Sequence, residues 1–208
     1  MQKLLSLIMP SRCLVCGTSV DGPPGFCGAC RSELVFLDDP KCAMCSAPLI
    51  GHVGMSDLAR CDACLETARS WDWGRAVLRY AGAGRRYVLA LKHGGRLDLV
   101  APAARWMAAT LPDCPPSALI VPVPLHSTRL MRRKYNQAAE LARGIRRESG
   151  FSTCMDALVR KKMTPILKDV SRAKRFELLQ DAIEVHPKRR HRLIGRDVIL
   201  VDDVMTSG

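Results

Sequence analysis

From Trp71 onward the apolar residues fall into short strand-like runs alternating with stretches of helical spacing. Gly74 to Ala81 reads as a strand, and Arg86 to Lys92 as a short helix stopped by His93-Gly94-Gly95. Leu97, Ala101, Ala104, Ala108 and Leu111 recur at helical spacing with Met107 on the same side. They predict an amphipathic helix ended by Pro112 and started or kinked near Pro102. Ala118 to Val123 predicts a buried strand, followed by a basic loop and a helix over Asn136 to Arg147 marked by Ala139, Leu141, Ala142 and Ile145. Met155 to Val159 predicts a further strand, Ser171 a cap for a helix over Ala173 to Leu179, and Ala182 to Val185 an edge strand. The clearest strand is Asp197 to Val201, whose four consecutive aliphatics suit a parallel sheet covered on both faces. Strands alternating with helices predict an α/β fold with a mainly parallel sheet.

Before Trp71 the texture differs. Residues 11 to 65 are rich in Cys, Gly and Pro and carry no long periodic segment, so their order must come mainly from bound metal. The expected organisation is a cysteine module over 1–65 and a second domain over 66–208. With 48% hydrophobic and 25% charged residues in a chain of 208, extended disorder is excluded. No apolar run approaches the roughly 20 residues that cross a bilayer. The patch at Leu4, Leu5, Leu7, Ile8 and Met9 is short for a signal peptide, and the expected location is cytoplasmic.

Eight of the ten cysteines form four Cys-x-x-Cys pairs: Cys13/Cys16, Cys27/Cys30, Cys42/Cys45 and Cys61/Cys64. Such pairs turn the backbone so that both thiolates reach one tetrahedral ion, with Gly17, Gly28 and Ser46 suiting the tight turns. Zn²⁺ is favoured over a redox dithiol or an iron-sulfur cluster, with two structural ions expected. Sequential pairing of the four is favoured over interleaved pairing. His52 reads as a surface loop residue, and Cys114 and Cys154 as ordinary thiols. The formal charge of +12 falls to roughly +8 once each four-thiolate zinc site counts as about −2, which still biases partners toward phosphates and nucleic acid.

The strand Val198 to Val201 runs into Asp202-Asp203-Val204-Met205-Thr206-Ser207-Gly208. Ligands of parallel sheets bind beyond the carboxyl ends of strands, and two carboxylates followed by hydroxyls and a glycine suit a sugar phosphate. The basic run Lys188-Arg189-Arg190-His191-Arg192 and the arginines at 143, 146 and 147 invite a nucleic-acid reading. A solvated turn is slightly favoured for the run, because single-strand binders add stacking aromatics and none lies within residues 187–192.

The acidic string resembles the phosphoribosyl-pyrophosphate (PRPP) loop of type I phosphoribosyltransferases. Val121-Pro122-Val123-Pro124-Leu125-His126, Arg129, Arg132 and Tyr135-Asn136-Gln137-Ala138 with Leu141-Ala142 resemble the ComF family. Tyr80, Gly82, Arg86, Leu91-Lys92, Arg160 and Thr164 agree with it, as does an N-terminal cysteine module. The resemblance implies a type I phosphoribosyltransferase fold. Asp202 and Asp203 would hold the ribose hydroxyls of PRPP, and Val204, Met205, Thr206, Ser207 and Gly208 its 5′-phosphate. Arg129, Arg132 and Lys134 would line the pyrophosphate side, where Mg²⁺ would bind. Arg133-Lys134 stands where the family has Arg-Gly, and Pro165-Ile166-Leu167 replaces an expected glutamine. The family continues past the loop glycine with Ala-Thr and a helix, so the expected phosphate cradle is incomplete here.

Three functions follow as expectations. The first is a PRPP-binding, phosphoribosyltransferase-like protein of natural competence that meets single-stranded DNA and competence-machinery proteins. The second is an active phosphoribosyltransferase (a glycosyltransferase) of nucleotide metabolism or salvage. The third is a zinc-containing nucleic-acid adaptor with a vestigial PRPP pocket.

Overall fold

The computed structural model describes residues 11–50, 59–163 and 178–205. The chain divides into two compact units, Met1–Gly94 and Gly95–Gly208, so residues 66–94 fall with the cysteine module in this division.

In the first unit, helix α1 (Gly28–Glu33) and helix α2 (Asp62–Glu66) each start directly after a cysteine, Cys27 and Cys61, in extended backbone. Around residues 11–20 and 40–49 the described cysteine module repeats one backbone device. Cys13 N–H donates to Thr18 O, Gly17 N–H to Cys13 O and Val20 N–H to Ser11 O. The pattern recurs with Cys42 N–H to Ala47 O, Ser46 N–H to Cys42 O and Leu49 N–H to Pro40 O. Gly17 and Ser46 occupy the same place in the two copies, both with positive φ, at 78° and 57°. Glycine adopts that conformation freely, whereas Ser46 is held there by tertiary contacts.

Gly74 to Ala81 is not a strand of the second domain. It is an extended segment applied to the cysteine module, with Leu37 N–H donating to Val77 O, Arg79 N–H to Val35 O and one isolated antiparallel bridge between Phe36 and Leu78. Helix α3 (Gly82–His93) starts four residues before the expected Arg86. Gly82 adopts a positive φ of 48°, which suits glycine, and Gly84 is required by close approach. A Cβ on Gly84 would lie 2.5 Å from Arg79 O. Tyr87 and Ala83 on this helix are buried, with the Tyr87 ring 6.5 Å from that of Phe26.

The second unit opens with a 3₁₀ turn (Leu97–Leu99) leading into α4 (Val100–Ala109); Pro102 falls in its first turn and does not kink it. Strand β1 (Leu119–Pro122) is buried throughout. Helix α5 (Ser127–Arg133) interrupts the expected basic loop, capped by the His126 side chain accepting from Thr128 N–H. None of its residues is buried, so it leaves no apolar periodicity to read. Helix α6 (Gln137–Ser149) packs on the sheet with Ala138, Leu141, Ala142 and Ile145 buried, and on α4. Gly144 permits that second contact, since a Cβ there would meet the Ala104 Cβ at 2.4 Å.

Strands β2 (Ser152–Thr153) and β5 (Val198–Val201) flank β1 in a three-stranded parallel sheet of order β2-β1-β5. Leu119 and Val121 pack on Cys154, Ala157, Leu158 and Leu193, and strand alternation turns Ile120 to the opposite face. Strand β3 (Leu158–Arg160) pairs antiparallel with β4 (Ile183–Val185), starting later than expected because Met155 and Asp156 form a turn. Strand β5 differs from the expected doubly covered strand. Ile199 and Val201 are buried while Val198 and Leu200 are exposed, so one face of β5 is uncovered among the described residues. Cys154 is a core thiol. The expected Ser171 cap with its helix, His52, Thr164, Thr206, Ser207 and Gly208 lie wholly or mainly outside the described residues. No helix among the described residues is long and apolar enough to cross a membrane.

Candidate functional sites

The eight paired cysteines gather as two sets of four, Cys13/Cys16/Cys27/Cys30 and Cys42/Cys45/Cys61/Cys64, with the sulfurs of each set within 4.8 Å of one another. This is the sequential pairing. A tetrahedral ion with bonds of about 2.3 Å needs sulfurs about 3.8 Å apart, and Cys16 and Cys27 on one side, Cys45 and Cys61 on the other, are each 3.6 Å apart. The thiols are not equivalent without a cation. Burial pushes the Cys45 thiol up to about 12, and the side chains of Cys61, Cys42 and Cys64 push it the same way. Burial also opposes ionisation of Cys13, but backbone N–H groups of Cys16, Cys27 and Val15 outweigh it and hold that thiol at about 6. A dication removes the mutual repulsion of four thiolates, and amides aimed at sulfur spread the remaining charge. Each set also receives a guanidinium: Arg86 donates to Cys30 Sγ at 3.8 Å and Arg69 to Cys64 Sγ at 3.3 Å. The residues fit two closed structural zinc sites.

The second set is clamped by a segment that its cysteine spacing does not announce. Trp71 Nε1 donates to Met44 O at 2.7 Å, and Ser46 Oγ donates to Gly74 O and accepts from Ala76 N–H, both at 3.0 Å. Gly74 has to be glycine, because a Cβ there would lie 2.4 Å from Met44 O.

At the other site, β5 and β1 end side by side, with Val123 N–H donating to Val201 O. Asp202 and Asp203 follow, the first exposed and the second half-buried, and Asp203 N–H donates to Asp202 Oδ1 at 2.8 Å. Asn136 ties the loop after β1 to the head of α6: its Nδ2 donates to Val123 O and its Oδ1 caps Ala138 N–H, both at 3.0 Å. Gln137, 2% exposed, donates from Nε2 to Asp203 Oδ2 at 3.2 Å and accepts from Arg133 at 3.4 Å. Arg133 Nε is buried with no hydrogen-bond partner among the described residues.

The charge arrangement is mixed. Burial lowers the Arg133 pKa and Asp203 opposes it, while Arg129 and Arg132 add to the lowering. Burial likewise lowers Arg160, helped by Arg129 and opposed by Asp202. Arg129 thus weighs against both buried guanidiniums beside the two carboxylates, and an added anion would offset that charge. Of the residues expected here, Arg129 is half-buried among the guanidiniums, Arg132 and Lys134 are exposed at the end of α5, Val204 is half-buried and Met205 exposed. The sequence reading gave no role to Arg133 and none to Gln137, although both stand beside Tyr135-Asn136 in the motif that carries the resemblance.

A chain that joins a two-ion cysteine module to a small parallel sheet ending in an acid pair belongs to a definite class: a zinc-ribbon module followed by an α/β domain. Residues 4–65 match the family model described as a double zinc ribbon domain. Competence protein F of Haemophilus influenzae is 28% identical over 88% of this chain and 85% of its own length. DNA utilization protein YhgH of Escherichia coli K12 is 26% identical over 89% of this chain and 86% of its own, and that of Salmonella typhi is also 26% identical. These matches bear out the resemblance to the ComF family. No solved structure matches it.

Proposed function

We propose that the chain is a PRPP-binding, phosphoribosyltransferase-like protein acting in DNA uptake or utilisation on the cytoplasmic side. The observation that carries the reading is the acid pair Asp202-Asp203 at the end of β5, with Asp203 acting on the guanidinium of Arg133 and Asp202 on that of Arg160. The printed names of the relatives speak of competence and of DNA utilization.

In this reading the second unit is a type I phosphoribosyltransferase fold. Asp202 and Asp203 accept hydrogen bonds from the vicinal ribose hydroxyls. Thr206, Ser207 and Gly208, with Val204 and Met205, hold the 5′-phosphate through backbone N–H and hydroxyl groups. Arg129, Arg132 and Lys134 meet the pyrophosphate, joined by Arg133, whose guanidinium can offer two donors to one phosphate. Mg²⁺ arrives with PRPP and neutralises pyrophosphate charge. No side-chain nucleophile is required, because displacement at the anomeric carbon is driven by positioning and charge stabilisation.

The test is equilibrium binding of PRPP with Mg²⁺ to the zinc-loaded chain. Saturable binding that Asp202→Asn with Asp203→Asn abolishes is expected. Absent binding, or equal affinity in the double variant, would overturn the reading. Release of pyrophosphate in the presence of a base separates an active transferase from a binding protein.

A further inference from the structure

The two cysteine sets offer an ion the same sulfur geometry but do not give solvent the same access. Cys16 and Cys27 are 3.6 Å apart, as are Cys45 and Cys61. Within the repeated backbone device Cys16 and Cys45 hold equivalent places, each directly before the residue of positive φ, Gly17 or Ser46. Yet Cys16 is exposed, whereas Cys45 is half-buried.

The difference comes from what covers each turn. In the second set Cys42, Met44 and Cys64 form a buried cluster, and Cys45, Cys61 and Trp71 pack on it. The segment carrying Trp71 is fastened there, with Gly74 N–H donating to Ala43 O at 3.1 Å in addition to the Trp71 and Ser46 bonds. The first set has a cluster too, Cys13 and Cys30 with Leu34 and Ala83, on which Cys27 packs. Of the eight paired cysteines, Cys16 alone belongs to neither cluster. Ser46 is fully buried beneath the 74–76 segment, but at Gly17 a Cβ would meet nothing within 4 Å among the described residues.

Oxidation of a cysteine follows thiolate character and exposure, and it becomes a disulfide where a second thiolate stands close by. Both conditions meet at Cys16. Its sulfur can attack an oxygen of hydrogen peroxide: an S–O bond forms, the O–O bond breaks and hydroxide leaves, with a sulfenic acid on Cys16. The Cys27 thiolate then attacks that sulfur, so that an S–S bond forms, the S–O bond breaks and a second hydroxide leaves. Two thiolates have given up two electrons, one peroxide has taken them, and the two hydroxides take protons from solvent. The site keeps only Cys13 and Cys30, half of the donors that a closed tetrahedral zinc site needs, and its hold on the ion falls accordingly.

We propose that Cys16 and Cys27 are a peroxide-oxidised pair whose disulfide opens the first zinc site, while the second, covered by residues 71–76, stays closed. The inference rests on the zinc reading of the two sets and on neither PRPP nor DNA.

Hydrogen peroxide in small excess, added to the zinc-loaded full chain beside a chromophoric chelator too weak to strip the unoxidised protein, tests it. Zinc counted beforehand should come to about two ions per chain, one for each cysteine set. About one should reach the chelator in a fast phase and the other about tenfold more slowly or slower still, as exposure governs attack on sulfur. Peptide mass mapping at the end of the fast phase should find a Cys16–Cys27 disulfide with the second set reduced, and a thiol reductant with added zinc should restore the starting count. Trp71→Ala should quicken the slow phase and leave the fast one unchanged. Trp71→Phe keeps an aromatic cover and should quicken it less, which guards against a folding artefact. Both ions leaving in one phase, a first disulfide between Cys45 and Cys61, or a slow phase indifferent to Trp71→Ala would overturn the proposal. A zinc count near zero before oxidation would overturn the zinc reading, and the proposal with it.

Discussion

Gln137 Nε2 lies 3.2 Å from Asp203 Oδ2, which ties the first residue of α6 to the acid that follows β5. The same amide accepts from Arg133 at 3.4 Å, so one buried side chain orients both an acid and a base of the candidate pocket. Gln137→Ala should weaken Mg²⁺-PRPP binding about tenfold and cost about 1–3 kcal/mol of stability through the unpaired buried groups. Gln137→Glu sets a carboxylate against Asp203 and should weaken binding further, with partial recovery as pH is lowered and the pair takes up a proton. Titration calorimetry at two pH values reads this. Unaltered affinity in both variants would remove Asp203 from the ligand set.

Lys134 stands where the family has glycine, and its φ is 67°, at the left-handed end of α5. A residue with a Cβ costs roughly 1–2 kcal/mol in that conformation. Lys134→Gly should therefore raise the unfolding temperature by a few degrees while removing one cation from the proposed pyrophosphate side. A Tm that falls instead would show that the lysine side chain more than offsets the strain.

The two cysteine sets predict the zinc count. The intact chain should hold about two zinc ions by mass spectrometry of the metal, and a strong chelator should unfold the first unit, since metal binding is folding free energy in such modules. Cys16→Ser with Cys27→Ser should leave one ion per chain. Loss of both ions would indicate interleaved ligand sets.

Two acids report on pH. Arg96 holds Asp98 below the ordinary carboxylate value through a bond of 2.7 Å, and Arg189 does the same for Asp156 at 2.8 Å. A carboxylate lowered on folding adds stability above its unfolded pKa of about 3.9, and that stability is lost as pH falls through the lower folded value. Both pairs are about half exposed, so solvent screening keeps the stabilisation each adds small. The difference in unfolding free energy between the intact chain and Asp98→Asn with Asp156→Asn should be largest near neutrality and vanish in strong acid. A difference that grows on acidification would contradict the assignment.

Local chemistry was readable without a fold. The cysteine spacing named the zinc ligands because tetrahedral coordination by Cys-x-x-Cys is satisfied within a few residues of chain. The aliphatic run at 198–201 and the spacing of Leu141, Ala142 and Ile145 named a strand and a helix because burial imposes period on sequence. Three things depended on contacts between distant residues. Ser46 and Gly74 look like ordinary turn residues until Trp71 to Ala76 closes over the second cysteine set. Strand β5 has the composition of a doubly covered strand, yet its face with Val198 and Leu200 is uncovered among the described residues. Arg133 and Gln137 gain their place from the meeting of α6 with the end of β5. Short-range geometry is written in spacing; the pairing of remote side chains is set by how the elements pack, which no local pattern encodes.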